Sequence, residues 1–370
     1  MSRAQLSFPS YDTLGVRPLI NCRGTYTILS GSLLLPAVRQ AMSEASKRYV
    51  NLDELMAAVG TRIAALMQVE WGLVTSGCAA ALCQVTAACV AGSDPEKMAR
   101  LPDTAGMKNE VVIPAGHRHV YDHAIRMVGV KMVDVASRSE LEEAVGENTA
   151  MFAFKGDMDE QGAIPLRELA AFGRERGIPT LVDAAAERPD VPNRYLEAGA
   201  DLVAYSGGKC LRGPQASGLV MGRKDLLEVA FLNGAPHHAL GRPMKAGKEE
   251  IMGLLAAVEQ WVERDHRAEW REWERRLEFI GSALGHIKSL QYTIKDPPSR
   301  SNVAPSLIIE WDGQVVNLKP AEVEQALSEG EPRIELFSGS TGIEILPYMM
   351  EVGEDEIVAA RLKEILEGAT

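Results

Sequence analysis

Apolar positions fall into two rhythms along the chain. From about residue 70 to 222, short apolar runs (GLVTS, VVIPA, KMVDV, MFAFK, TLVDA, LVAYS and SGLVMG) alternate with stretches such as LRELAAFGRERG, whose apolar positions recur at helical spacing. Brief apolar runs bounded by turn residues predict buried strands, and the amphipathic stretches between them predict crossover helices. The alternation gives an α/β domain with a mostly parallel, seven-stranded sheet and helices on both faces. SGLVMG follows LVAYS too closely for a helical crossover, so it is expected to run antiparallel.

The flanks read differently. PAVRQAMSEASKRY and LDELMAAVGTRIAALMQ predict two helices, preceded by an irregular arm, NCRGTYTILSGS. Beyond the sheet, KEEIMGLLAAVEQWVERDHRAEWREWERRLEFIGSALG is periodic over about forty residues, longer than a typical globular helix, and is expected to link two domains. Residues 288–370 offer short strands (SLIIEW, RIELFS, GIEIL) and helices (PAEVEQALSE, EDEIVAARLKEILEG), a small C-terminal α+β domain. The expected organisation is an N-terminal arm over 1–35, a large domain over 36–245, and a linking helix with the small domain over 246–370.

Composition narrows the function. Among 370 residues, 51 acidic against 39 basic side chains give a net charge of −12, which repels phosphate backbones and argues against a nucleic-acid partner. The 5 cysteines (22, 78, 83, 89 and 210) form no CxxC pair and no even set, which points to reduced thiols and a cytoplasmic location. No metal site is expected. The segment MSRAQLSFPSYDTLG lacks the apolar stretch of a signal peptide, and no run reaches the ~18 apolar residues of a membrane span, so no membrane partner is expected.

In an open parallel sheet, ligands collect beyond the carboxyl ends of the strands. Three of those ends carry suggestive chemistry. GLVTSGCAAALCQVTAAC sets Ser76, Gly77 and Cys78 between a strand and a helix start, where free N–H groups and the helix dipole suit a phosphate; a plain N-cap by Ser76 reads the same residues. LVDAAAERP ends its apolar run at Asp183, a carboxylate suited to the ring nitrogen of pyridoxal phosphate or, alternatively, to a helix cap. SGGKCLRG then offers Lys209, 26 residues further on, with Ser206 as another phosphate donor. A lysine amine is nucleophilic only when neutral, which a pocket away from water favours; Gly207 and Gly208 are expected to leave room for the cofactor ring. A solvated surface lysine is the alternative. Phosphate loop, acid and lysine at successive strand ends together favour a Schiff-base lysine and the cofactor pyridoxal 5'-phosphate.

The segments INCRGTYTILSGS, LVTSGCAAAL, IPAGHRHVYDHAIR, LVDAAAERP, SGGKCLRGPQASGLVMGRKDL and RPMKAGKEEIMGLLAA resemble the selenocysteine-synthase-like enzymes of pyridoxal-phosphate fold type I, and among them the D-glucosaminate-6-phosphate ammonia-lyase branch. The likeness runs from Tyr11 to the C-terminus. It implies that Lys209 holds the cofactor as a Schiff base, that Asp183 pairs with its ring nitrogen, and that Ser76, Gly77, Cys78 and Ser206 line the phosphate cup. A histidine stacking on the ring is implied at GHRH, His117 or His119, with His119 preferred; His123, a turn further, reads as structural. Selenocysteine synthases carry an N-terminal domain for charged tRNA, whereas here the shared core begins by residue 11, so an aminoacyl-tRNA substrate is not expected.

Arg212, Arg242 and Lys245 lie in motifs beside the expected active-site mouth, and Arg333 lies in EPRIEL. Their charge suits a substrate carboxylate or distal anion, with solvation or subunit ion pairs as the other reading. The expected reaction is α,β-elimination from a β-hydroxy amino acid or amino sugar acid, giving a 2-keto acid and ammonia, with Lys209 removing the Cα proton. A racemase or epimerase is the runner-up, an aldolase shares the same electron sink, and a non-catalytic scaffold is the reading from another class. Fold type I sites usually lie between subunits, so a homodimer or higher homo-oligomer is implied.

Overall fold

The computed structural model describes residues 8–159 and 162–369. The first seven residues of the expected arm therefore lie outside the described residues. The chain divides into two compact units, one comprising Ser30–Arg264 and Ser299–Val303, the other Met1–Leu29, Asp265–Pro298 and Ala304–Thr370.

The larger unit is built on a seven-stranded sheet in the order Trp71–Thr75, Gly218–Gly222, Leu202–Ser206, Thr180–Asp183, Thr149–Lys155, Glu110–Pro114, Lys131–Val135. The last five in that order are parallel, and Gly218–Gly222 runs antiparallel to both of its neighbours. All seven apolar runs become strands, and the short return behaves as its spacing demanded. The residues are apolar because both faces are covered: Leu73, Val112, Phe152, Val182, Val203 and Val220 are all buried. Helix Cys78–Ala91 is buried nearly all round, as its small, uniformly apolar composition requires.

Register decides what meets at the carboxyl edge. Lys155 pairs with Asp183, Asp183 with Ala204, Ser206 with Gly218, and Gly218 with Thr75. Two reversals of direction leave Trp71–Thr75 pointing the same way as Leu202–Ser206. The turns after Thr75, Asp183 and Ser206 consequently leave the sheet on one side.

The long periodic segment is two helices, Lys248–Glu263 in the larger unit and His266–Leu284 in the smaller. Asp265 makes the break: its carboxylate accepts from the N–H groups of Arg267 (3.1 Å) and Ala268 (2.9 Å), starting a new helix where the apolar rhythm alone reads as continuous.

The smaller unit has a four-stranded antiparallel sheet in the order Phe337–Ser338, Gly342–Ile345, Ser306–Glu310, Gln291–Lys295, and a two-stranded parallel ladder of Leu19–Asn21 with Arg333–Glu335. RIELFS thus serves two sheets. Leu277, Ile280, Leu307, Ile309, Ile343, Ile345 and Leu362 form its core.

Candidate active site

The turn after Thr75 begins helix Cys78–Ala91, and its N-cap is Gly77, with no side chain capping it. Ser76 therefore does not act as the cap that its position allowed. Gly77 holds φ 90°, a left-handed conformation that favours glycine, and a Cβ there would meet nothing within 4 Å. Space, an uncapped helix start and the Ser76 hydroxyl coincide at this point, as an anion site requires.

Asp183 is the last residue of its strand and is followed by a turn, not a helix. Its Oδ1 accepts from the Ala185 N–H at 3.0 Å and from the Cys78 thiol at 3.7 Å. On the other side, His119 Nε2 lies 3.4 Å from Asp183 Oδ2. Burial lifts the Cys78 thiol well above its ordinary pKa range and Asp183 adds to that, while the Lys209 ammonium acts in the opposite direction. Cys78, Asp183 and His119 meet by direct contact at the carboxyl edge, and Lys209 stands on the turn after Ser206 at that same edge.

Lys209 is half-buried on the tight turn after Ser206. Its glycine neighbours serve a purpose other than the one expected. A Cβ on Gly207 would lie 2.1 Å from Ser217 Oγ, and one on Gly208 would lie 2.3 Å from Gln215 Oε1. The two glycines let the turn fold back on residues 215–217, so they shape the lysine's support rather than clear space for a ring. Ser206 is half-buried at the strand end, its N–H donating to the Ala185 carbonyl at 3.2 Å.

The two candidate histidines part company. His117 is 0% exposed; its Nδ1 accepts from the Lys155 N–H at 3.2 Å, and its ring meets Phe154 edge-on at 4.4 Å. It is a core residue with no free face, which corrects its inclusion among cofactor ligands. His119 lies beside Asp183, and His123 contacts the Val120 carbonyl at 2.6 Å through Nδ1.

The candidate arginines have partners or settings of their own. Arg212 Nε donates to the Leu33 carbonyl at 3.0 Å, and Arg242 is exposed on a loop, as is Lys245. Arg333 belongs to the smaller unit, where its Nε donates to Glu335 at 2.7 Å. Sequence reading passed over a second polar cluster near Asp183, made of Glu187, Tyr195, Asp157 and Arg300. Glu187 stands in the quoted LVDAAAERP motif; that a charged residue sits in a tight Ala-rich turn was the available signal.

Pyridoxal phosphate fits this donor set. The uncapped, open helix start at Gly77 suits its phosphate, Asp183 its ring nitrogen, and Lys209 its aldehyde.

The chain is similar to several known proteins. A D-glucosaminate-6-phosphate ammonia lyase of Salmonella typhimurium is 30% identical, covering 97% of this chain and 98% of its own. A 5'-C-glycyluridine monooxygenase-decarboxylase of a Streptomyces species is 32% identical, covering 96% of this chain and 92% of its own. An L-seryl-tRNA(Sec) selenium transferase of Proteus mirabilis is 27% identical over 66% of this chain and 56% of its own. The solved structure of a D-glucosaminate-6-phosphate ammonia-lyase superposes with a TM-score of 0.87 at 29% identity, covering 98% of this chain and all of that one. The family described as Aminotransferase class-V matches residues 37–300. With a fold type I architecture and the cofactor pyridoxal 5'-phosphate, the chain belongs to the class-V aminotransferase family.

Proposed function

We propose that this enzyme is a lyase that releases ammonia by α,β-elimination from a β-hydroxy amino acid or amino sugar acid, of which D-glucosaminate 6-phosphate is the leading candidate. The observation that carries the reading is the meeting of Cys78, His119 and Asp183 at the sheet edge from which the Lys209 turn also leaves, in a chain 30% identical to an ammonia lyase.

The cofactor, when bound, supplies an electron sink for a carbanion at Cα. The chain's own residues do the rest. Ser76, the N–H groups at the start of helix Cys78–Ala91, and Ser206 hold the phosphate. Asp183 keeps the ring nitrogen protonated, and the Ala185 N–H and Cys78 thiol fix that carboxylate's orientation. His119, 3.4 Å from Asp183, would pack against the ring. Lys209 would hold the aldehyde, and its amine is the general base proposed for the Cα proton. Arg212, Arg242 and Arg333 are weaker candidates for anion recognition, since Arg212 and Arg333 already donate to protein groups.

The enzyme is expected to work as a homodimer or higher homo-oligomer on a small-molecule substrate. Tyr49 and Val50 leave an apolar patch exposed on the larger unit, which a second copy would cover. Among the described residues, no helix is long and apolar enough to cross a membrane.

A second reading has its own support. The 32% identical relative is named for a monooxygenase and decarboxylase activity, so loss of CO2 with consumption of O2 is the competing outcome. Incubating the purified protein with D- and L-hydroxyamino acids, phosphorylated amino sugar acids and nucleoside amino acids, while following ammonia, keto acid, CO2, O2 and optical rotation, separates the two. Ammonia and keto acid in equal amounts support the lyase. Inversion without ammonia points to a racemase, and CO2 with O2 uptake to the second reading. Lys209→Ala is expected to abolish the visible absorption of bound cofactor and to lower kcat by at least ~10³.

A further inference from the structure

The segment Ser299–Val303 belongs to the larger unit although the residues before and after it along the chain do not. Three consecutive residues fasten it. Arg300 Nε donates to Glu187 Oε2 at 3.1 Å, and its NH2 group donates to Asp190 at 2.8 Å. The Ser301 hydroxyl donates to Asp157 at 2.7 Å, and the Asn302 N–H donates to the Ala186 carbonyl at 2.8 Å. Every one of these acceptors lies on the turns that follow Lys155 and Asp183.

Glu187 is the hub. It is 2% exposed, and the Tyr195 hydroxyl donates to its Oε2 at 2.5 Å, while its Oε1 has no hydrogen-bond partner. Gly156 packs against that bare oxygen so closely that a Cβ there would lie 2.3 Å away. The Glu187 carbonyl accepts from the Cys210 thiol at 3.2 Å, tying the residue after Lys209 to the turn after Asp183. The segment is therefore bonded to the stretch that sets the spacing between Asp183 and Lys209.

We infer that Ser299–Val303 is a positioning strap, in which Arg300, through Glu187, holds the Asp183 and Lys209 turns at the separation that cofactor binding requires. This rests on the reading of Asp183 and Lys209 as the cofactor's acid and lysine. It assigns Arg300 and Glu187 as positioning residues, acting through the turns after Asp183 and Lys155.

The pair is sensitive to pH. Burial pushes the Glu187 carboxyl up to about 7, and Asp157 adds to this, against the hydrogen bond from Tyr195 and the charge of Arg300. At pH about 8 the carboxylate is charged and needs Arg300; at pH about 6 it is mostly protonated and needs it less. Tyr195, Arg300, Asp157 and Tyr205 are titratable or charged side chains that act on it, the Cys210 thiol bonds to its carbonyl, and Asp190 lies on the far side of Arg300.

The test is the dissociation constant of pyridoxal phosphate, read from the visible absorption of the full-length protein at pH about 6 and about 8, with thermal unfolding as the check that each variant is folded. Arg300→Met is expected to weaken binding about tenfold or more at the higher pH and by clearly less at the lower. Arg300→Lys should recover most of the loss. Adding Glu187→Gln to Arg300→Met, which removes the unpaired buried charge, should recover binding at the higher pH. If Arg300→Met does not fold, Ser301→Ala reads the same strap, with an expected loss of about threefold. Folded Arg300→Met or Ser301→Ala that binds within twofold of the parent at both pH values overturns the strap. A parent protein that takes up no cofactor overturns instead the reading on which the strap rests.

Discussion

His117 and Glu187 show how burial moves charge in opposite senses. Burial, with the nearby Lys155 charge, pushes the His117 imidazole down to about 4, and burial pushes the Glu187 carboxyl up to about 7. A lowered histidine contributes stability that is present above its unfolded value near 6.5 and is lost as pH falls toward 4. A raised glutamate contributes stability that is present below its unfolded value near 4.5 and is lost as pH rises through 7. Each effect is worth about 3 kcal/mol at full extent. Between roughly pH 4.5 and 6.5 the two slopes oppose each other, so these two contributions nearly cancel there. His117→Phe removes one slope, and urea unfolding of that variant should show stability falling steadily as pH rises across this window. Neither ionisation was legible in the sequence. His117 and His119 stand two residues apart in GHRH, and only the packing of Phe154 separates a core imidazole from one beside Asp183.

Elements were far easier to read than side-chain roles. The seven strands of the larger sheet follow from apolar runs, because a strand covered on both faces has no polar alternation to blur it. Gln291–Lys295 was missed although its exposed and half-buried residues alternate along QYTIK, a half-buried strand that a search for continuous apolar runs passes by. The break at Asp265 was missed because a cap is one residue and a period is many. Caps can be weighed. Asn51 starts helix Leu52–Met67 at the surface, accepting from Asp53 and Glu54. Asn193 accepts from Tyr195 and Leu196 while its own amide donates to the Tyr205 hydroxyl at 2.8 Å, all in the core. Asn51→Ala should cost about 1 kcal/mol and Asn193→Ala about 2–3 kcal/mol, since the latter also strands a buried hydroxyl; chemical denaturation compares them.

Across the whole molecule, relatives with two different named reactions each align with nearly all of this chain. Likeness along the whole chain therefore does not by itself fix the reaction, which has to be argued from the site. The order of strand ends along the chain therefore points to the fold and a candidate lysine and acid, whereas it does not point to the substrate: once the chain folds, Arg212 donates to the Leu33 carbonyl and Arg333 to Glu335. Sedimentation at micromolar concentration is expected to give twice the chain mass or a higher multiple. Tyr49→Glu should shift that distribution toward single chains and weaken cofactor retention with it.

The strand that precedes the phosphate turn bonds only to Gly218–Gly222, almost 150 residues later in the sequence. During synthesis on a ribosome, Trp71–Thr75 must wait for that late arrival before it has any neighbour, while the five parallel strands already have theirs. Nascent chains halted before Gly218 would carry both Asp183 and Lys209 yet lack the strand that pins the turn at Ser76, so on the proposed reading such truncated chains should fail to retain pyridoxal phosphate.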